Sequence, residues 1–266
     1  MRVPSIGWMA LCCATACNHL EEMPPPYSSI PGKRQICPFP LTVELDGSLE
    51  DDAWQEAKLW QSVEHTMGPE ETIAASDDDA SFEFACVANM EYMYFAFRIR
   101  DDVINADGWS ACDAYNSDSI ELFVDQRYRY SREYDGDDSQ IIIGPDNSGL
   151  PDSGERQIGG CILNAIPGAK TNTQVRTQRT EGGWQAEVAV PLRLSVSLGT
   201  GEMGWEIVPE HEHVIGFQTG YNDKDTGPDR NHRLVWGLDD RSTDHSYRDA
   251  GLLEELQFYA VDTTVD

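Results

Sequence analysis

Tyr115-Asn116-Ser117-Asp118-Ser119-Ile120-Glu121-Leu122-Phe123-Val124-Asp125 is the stretch whose pattern decides the fold. From Asp118 it alternates: Ile120, Leu122 and Val124 fall on one side, and Ser119, Glu121, Phe123 and Asp125 on the other. A period of two marks a strand with one face in a core. The other face carries a carboxylate at mid-strand, Glu121, and an aromatic, Tyr115, stands in the loop before it. Such a strand is suited to building a ligand site.

The same alternation recurs on both sides. In Tyr92–Arg100, Met93, Phe95, Phe97 and Ile99 oppose Tyr92, Tyr94, Ala96, Arg98 and Arg100. In 184–190, Trp184, Ala186, Val188 and Val190 share a face and Glu187 lies opposite. In 213–223, Ile215, Phe217, Thr219 and Tyr221 oppose Gly216, Gln218, Gly220 and Asn222. Further strands are expected at 41–45, 80–87, 140–143, 158–166, 173–180, 233–238 and 251–259. Asp46-Gly47 and Gly182-Gly183 supply turns. Ser48 to Trp54 reads as a helical turn that lays Trp54 on the core. The segment after Pro191 reads as irregular. Loops are expected at 64–79, where Asp77-Asp78-Asp79 is a solvated charge run, at 101–114 with Trp109, and at 239–249 with Tyr247. Many short strands, no long helix and no repeat predict an all-β chain. The expected architecture is an antiparallel β-sandwich of jelly-roll type with long loops and little helix.

Arg98, Glu121 and Glu187 sit at mid-strand on polar faces, and Gln218 occupies the same place on its own strand. Were these strands neighbours, the four side chains would form one polar row. Such a row is either a structural ion-pair network or the floor of a site that hydrogen-bonds hydroxyls; both readings stay open. A sugar ring has apolar C–H faces and an equator of hydroxyls, so a site for it needs flat aromatics and polar rim groups. Tyr115, Tyr247 and Trp109 lie in loops adjoining strands, where such platforms belong. Arg98, Gln218 and Asn222 are the candidate rim groups.

The 266 residues include 47 acidic and 19 basic side chains, a formal net charge of −28. This excludes a nucleic-acid or anionic-membrane partner, which would need a basic surface. Met1-Arg2 is followed by a mostly apolar stretch to Ala16, too short to span a bilayer. Ala14-Thr15-Ala16-Cys17 resembles a bacterial lipoprotein signal cleaved before Cys17, which would become the lipidated terminus. A plain secretory signal is the alternative. Residues 18–40 are rich in proline and read as an extended tether. The sandwich is expected over 41–260, with a tail at 261–266. The expected location is secreted or cell-surface, as an outer-membrane lipoprotein that meets the membrane only through its anchor. Export implies an oxidising compartment. Cys37, Cys86, Cys112 and Cys161 then allow three connectivities, and an unpaired Cys86 inside its strand also stays open.

Several motifs in order resemble the family 9 carbohydrate-binding modules, within the wider DOMON-like β-sandwich group. They are Leu45-Asp46-Gly47 through Trp54, Tyr92 to Arg98 leading to Asp101-Asp102, and Asp118-Ser119-Ile120-Glu121-Leu122-Phe123-Val124-Asp125. Next come Trp184 to Pro191, Ile215-Gly216-Phe217-Gln218, Asn222-Asp223, Trp236 and Ser246-Tyr247-Arg248-Asp249. The resemblance implies non-catalytic binding of an oligo- or polysaccharide end, with the ring held between Tyr115 and Tyr247 and Glu121 as site glutamate. Three further site positions of the family hold Ile142, Gly220 and Asp244 here. The resemblance also implies structural calcium, with no ligands assigned, and an association with xylanases and polysaccharide breakdown. Three other readings stay open. A glycoside hydrolase would use two carboxylates such as Glu121 and Glu187, though no spacing singles them out. A DOMON-type haem module would use His213 with Met90 or Met93. A surface structural domain would have kept the sandwich and lost the ligand. His211-Glu212-His213 reads as surface loop rather than a zinc site.

Overall fold

The computed structural model describes residues 30, 32–54, 60–69, 72–106, 114–128, 132, 138–146, 173–198, 201–237, 245–246 and 249–261, without the side chains of 114 and 194–205. The alternating stretches become strands because each can bury its apolar phase against a second sheet. The strands are β1 (Arg34–Phe39), β2 (Gln61–Val63), β3 (Ala80–Ala88), β4 (Tyr92–Asp101), β5 (Ser119–Asp125), β6 (Asp138–Ile143) and β7 (Gln174–Thr180). They continue with β8 (Gly183–Pro191), β9 (Arg193–Leu198), β10 (Gly201–Glu206), β11 (Val214–Asp223), β12 (His232–Trp236) and β13 (Glu254–Ala260). Short 3-10 turns occupy Asp52–Trp54, Ala114–Asn116 and Ala250–Leu252.

One sheet runs β1-β13-β11-β5-β6, with β12 also paired to β11. The other runs β2-β3-β4-β8-β7, and β9-β10 forms a separate hairpin. Every pairing of these strands is antiparallel except β1 with β13. The expected antiparallel sandwich is therefore the observed one. Its core joins Phe84, Phe95, Phe97 and Ile99 of one sheet to Ile120, Leu122, Phe217 and Trp236 of the other. Phe95 stacks on Phe217 with ring centres 5.2 Å apart, and Phe84 meets Trp236 edge-on at 5.4 Å. Each fully buried Phe contributes roughly 1.5–3 kcal/mol relative to exposure.

A second apolar cluster lies on the outer face of the β2-β3-β4-β8-β7 sheet. Val43, Leu49 and Trp54 pack there against Ala85, Val87, Tyr94, Ala96 and Ala189. Glu187 of β8 fastens this segment. Its carboxylate accepts from Gly47 N at 2.8 Å, Asp46 N at 3.0 Å and Trp54 Nε1 at 2.9 Å. Burial pushes the Glu187 carboxyl up, against the pull of those donors. Trp54 is thus a core residue, as its place in a helical turn predicts.

Three expectations need correction, and one open reading is decided. Residues 41–45 are not a strand; Leu41 N donates to Ala88 O at 2.7 Å and the segment continues as extended coil. The first strand instead lies in the stretch read as tether. β1 holds Pro38, which an edge strand tolerates because its missing N–H need not face a neighbour. Cys86 is not unpaired: it is bonded to Cys37, joining β3 to β1 and hence one sheet to the other. The segment after Pro191 is the β9-β10 hairpin. Cys112, Cys161 and the strand expected at 158–166 lie outside the described residues.

Candidate functional site

β5, β6, β11 and β12 turn a polar face away from the core. Glu121 stands opposite Gly220 of β11 and Ile142 of β6. Its residue is 1% exposed. One carboxylate oxygen accepts from Gln140 Nε2 at 2.8 Å, and the other accepts from Arg233 Nη1. Arg233 lies on β12, opposite Asn222 of β11. To reach Glu121 its guanidinium crosses β11, and Gly220 has no side chain to bar the way. A Cβ at Gly220 would also meet the Leu234 carbonyl oxygen at 2.8 Å. Asn222 accepts from Arg233 Nη1 at 3.1 Å and from Arg230 Nη1 at 2.7 Å, and it donates to Ser119 Oγ at 3.1 Å. Gln218, next along the same face, is fully buried, and neither amide atom has a hydrogen-bond partner among the described residues. Phe123 packs beside it under Ala250 and Leu253.

Tyr115 sits in the 3-10 turn that leads into β5, and it is 37% exposed. The Arg230 guanidinium stacks over its ring, 5.6 Å from the centroid. A cation–π contact of this kind is worth about 0.5–1 kcal/mol at an exposed site, enough to bias the ring's orientation. Tyr115, Glu121, Gln218 and Asn222 therefore belong to one sheet and its adjoining loop.

Arg98 does not join them. β4 and β8 form part of the opposite sheet, so the four-residue polar row does not exist. Arg98 lies on the outer face there, stacked on Trp60 at 3.9 Å and 3.7 Å from Glu83. A groove of about 280 Å³ beside it is lined by Ser62, Asp77, Ser81, Glu83, Arg98 and Arg100, among others. Glu121 and Glu187 also face outward from opposite sheets, so they cannot flank one glycosidic bond. Met93 is buried in the core, and His213 Nδ1 lies 2.6 Å from the Val208 carbonyl oxygen. Trp109, Tyr247 and Cys17 lie outside the described residues. The sequence reading missed Gln140, Arg230 and Arg233. The signal for Arg233 was available: it occupies the outward phase of a strand whose Leu234 and Trp236 are buried.

A second constellation closes the end of the core. In β4, β5 and β11 the inward phase continues one step past the last apolar residue and places an aspartate there. Ile99 is followed by Asp101, Ile120 is preceded by Asp118, and Tyr221 is followed by Asp223. Asp101, Asp118 and Asp223 are 2%, 0% and 0% exposed. Each offers a carboxylate oxygen within 4.8 Å of the others. A second grouping on the same scale joins Asp223 to Asp79, Asp225 and His232, and a third joins Asp101 to Asp102 and Asp225. The Asp77-Asp78-Asp79 run is thus not wholly a solvated charge run, because Asp79 is drawn in. Asp101 accepts from Tyr221 Oη at 2.5 Å and from Val103 N at 2.8 Å. Asp118 accepts from Lys224 N at 2.7 Å and from Asn105 N. Both oxygens of Asp223 lack a hydrogen-bond partner among the described residues, as does Oδ1 of Asp225.

Burial, then the charge of Asp101, pushes the Asp118 carboxyl up to about 8. Burial, then Asp101 and Asp225, pushes Asp223 up to about 9. Buried carboxylates without partners are costly. Oxygen donors at this density suit a hard divalent cation such as calcium.

The profile of the carbohydrate family 9 binding domain-like family matches residues 45–256. The exoglucanase XynX of Acetivibrio thermocellus is 26% identical over 195 residues, which are 73% of this chain and 14% of that protein. A carbohydrate-binding module of family 9 from Caldicellulosiruptor kristjanssonii, solved with cellotriose, superposes with a TM-score of 0.63 at 16% identity. The match covers 88% of this chain and 97% of that one. A second structure of such a module from that organism, with glucose, gives 0.61 at 19% identity, covering 88% and 100%. At these identities the structures establish a shared fold.

Proposed function

This chain belongs to the carbohydrate family 9 binding domain-like family, and from that premise we propose that it is a non-catalytic module that binds the end of an oligo- or polysaccharide. The observation that carries the proposal is Tyr115, an exposed flat ring at the edge of a polar sheet face. The sugar's C–H face lies on Tyr115, and its hydroxyls meet the Asn222 and Arg230 side. Glu121 and Arg233, already paired to each other, keep that floor rigid. The resemblance pairs Tyr247 with Tyr115 as the second aromatic of the site.

Isothermal titration tests this, with cellotriose and glucose at the head of a panel that includes xylo-oligosaccharides. Tyr115→Ala is expected to weaken binding about tenfold, or roughly 1.4 kcal/mol. A panel without a single binder would refute the proposal, as would an affinity that Tyr115→Ala leaves unchanged.

Calcium held by Asp101, Asp118 and Asp223, with Asp225 beside them, is the second part of the proposal. The buried oxygens of Asp223, without a hydrogen-bond partner among the described residues, support it. When bound, the ion supplies charge compensation at the end of the core. Elemental analysis of the dialysed protein should find it, and Asp223→Asn should lose it. If the protein takes up no calcium from solution, this part fails.

The module is exported and acts at the cell surface. The Cys37–Cys86 disulfide supports an oxidising compartment. Lipidation at Cys17 is read out by labelled palmitate, which Cys17→Ser should not incorporate.

A further inference from the structure

One loop, residues 224–231, touches both constellations. It leaves β11 at Asp223 and enters β12 at His232. Lys224 N binds Asp118 Oδ1 at 2.7 Å, so the loop's first residue is tied to the acidic cluster. Asp225 then adds its own carboxylate to that cluster. Asn231 closes the loop on itself: its Oδ1 accepts from Asp225 N at 2.8 Å and Thr226 N at 2.9 Å, and its N donates to Asp223 O at 2.8 Å. Gly227, with φ near +85°, lets the chain reverse in between. Arg230 stands next to Asn231 and carries the other contacts, to Asn222 Oδ1 and over Tyr115.

The two constellations are also adjacent in the strands. Asp118 and Ser119 are consecutive at the start of β5, and Asn222 and Asp223 are consecutive at the end of β11. Alternation sends Ser119 and Asn222 to the outer face, where they bond each other, and sends Asp118 and Asp223 inward. An ion between the inward pair therefore lies one residue from the outer pair.

We propose that Arg230 is a positioning residue set by the cation. A divalent cation on Asp101, Asp118 and Asp223, with Asp225 beside them, fixes the 224–231 loop and so holds Arg230 against Asn222 and Tyr115, which links cation binding to sugar binding. The proposal rests on the sugar and calcium sites above. Asp223 is the independent sign that the cluster takes a ligand, since it is fully buried, neither oxygen has a hydrogen-bond partner among the described residues, and its ion-pair contact is His232 Nε2 at 4.0 Å. Without the ion, no positive charge draws the Asp225 carboxylate toward Asp101 and Asp223; the Asp225 end of the loop moves outward, and Arg230 moves with it. Linkage is reciprocal: the factor by which calcium tightens sugar binding equals the factor by which sugar tightens calcium binding.

The test uses the whole mature chain and four titrations. Cellotriose is titrated with calcium present and with chelator, and calcium is titrated with and without saturating cellotriose. The expected coupling is about fivefold or more in both directions, at the low end of the usual allosteric range. Arg230→Ala should keep its calcium affinity, lose sugar affinity and lose the coupling; Arg230→Lys should regain part of it. Equal cellotriose affinity in both conditions, with calcium binding intact, overturns the linkage and leaves both sites standing. A coupling that persists in Arg230→Ala overturns the role of Arg230. Failure of cellotriose and every other panel sugar to bind removes the sugar reading instead, and failure of calcium to bind removes the cation reading; either removes the linkage with it.

Discussion

The Glu121–Arg233 pair permits the sharpest test of how the polar face is built. Both residues are nearly sealed from water, at 1% and 3% exposure. Removing one partner from such a pair strands the other charge, which costs about 3–5 kcal/mol. The surroundings assign each variant a place in that range. Glu121→Gln leaves Arg233 with Asn222 Oδ1 as an acceptor, so its cost should fall near 3 kcal/mol. Arg233→Met leaves a buried carboxylate supported by Gln140, and its cost should approach 5 kcal/mol. The double variant holds no buried charge, the methionine fills much of the vacated volume, and the two amides can bond each other. It should cost roughly 2–4 kcal/mol less than the sum of the single changes, a large coupling for a residue pair. Urea unfolding followed by tryptophan fluorescence reads all four proteins, since Trp54, Trp184 and Trp236 are buried. Single-variant costs that add to within about 0.5 kcal/mol would refute the reasoning, because the charges would then not act as a unit.

Three further outcomes are expected. Glu187→Gln should cost about 2–4 kcal/mol, because one amide oxygen replaces two acceptors facing three N–H donors; in a Trp54→Phe background the cost should be visibly smaller. Since burial raises this carboxyl above its ordinary 4.5, the folded state holds the extra proton. Stability is then greatest below 4.5 and falls as pH rises through the folded value, and Glu187→Gln should flatten that slope in urea titrations across pH. Replacing Cys37 and Cys86 together by alanine should cost about 4 kcal/mol, from the chain entropy of a loop closed across 49 residues, measured by the same unfolding assay under non-reducing conditions. Arg98→Ala should change stability by less than about 1 kcal/mol, as its partner Glu83 is half exposed too, and should leave cellotriose affinity untouched.

The sandwich was legible because β4, β5, β8 and β11 alternate large apolar residues with polar ones, and that pattern has one stable solution. Alternation names a face; it does not name a sheet. Arg98 and Glu121 occupy equivalent phases, yet their strands hydrogen-bond into different layers, so a pattern common to both grouped residues that point in opposite directions. β1 was hidden by Pro38 and the prolines that flank the strand; Pro38 is harmless on an edge and would be prohibitive in a central strand. Arg233 was missed because its partner is 112 positions away and the crossing depends on a glycine having no side chain. The acidic cluster was missed for a related reason. Asp101, Asp118 and Asp223 each look like ordinary strand-end polarity, and they become a site only where the two sheets bring the strand ends together.

The Cys37–Cys86 bond has a mechanical consequence. A pull on the chain ahead of Arg34, such as an anchored N-terminus would transmit, enters the domain through β1. That strand lies parallel to β13 at the margin of its sheet, and only Arg34, Gln35 and Ile36 precede the cysteine. Peeling can release those three residues. Beyond them the tension passes through a covalent bond into β3, in the middle of the other sheet's apolar contacts, and is shared by both layers. A domain held this way resists being unravelled by a pull on its N-terminal end.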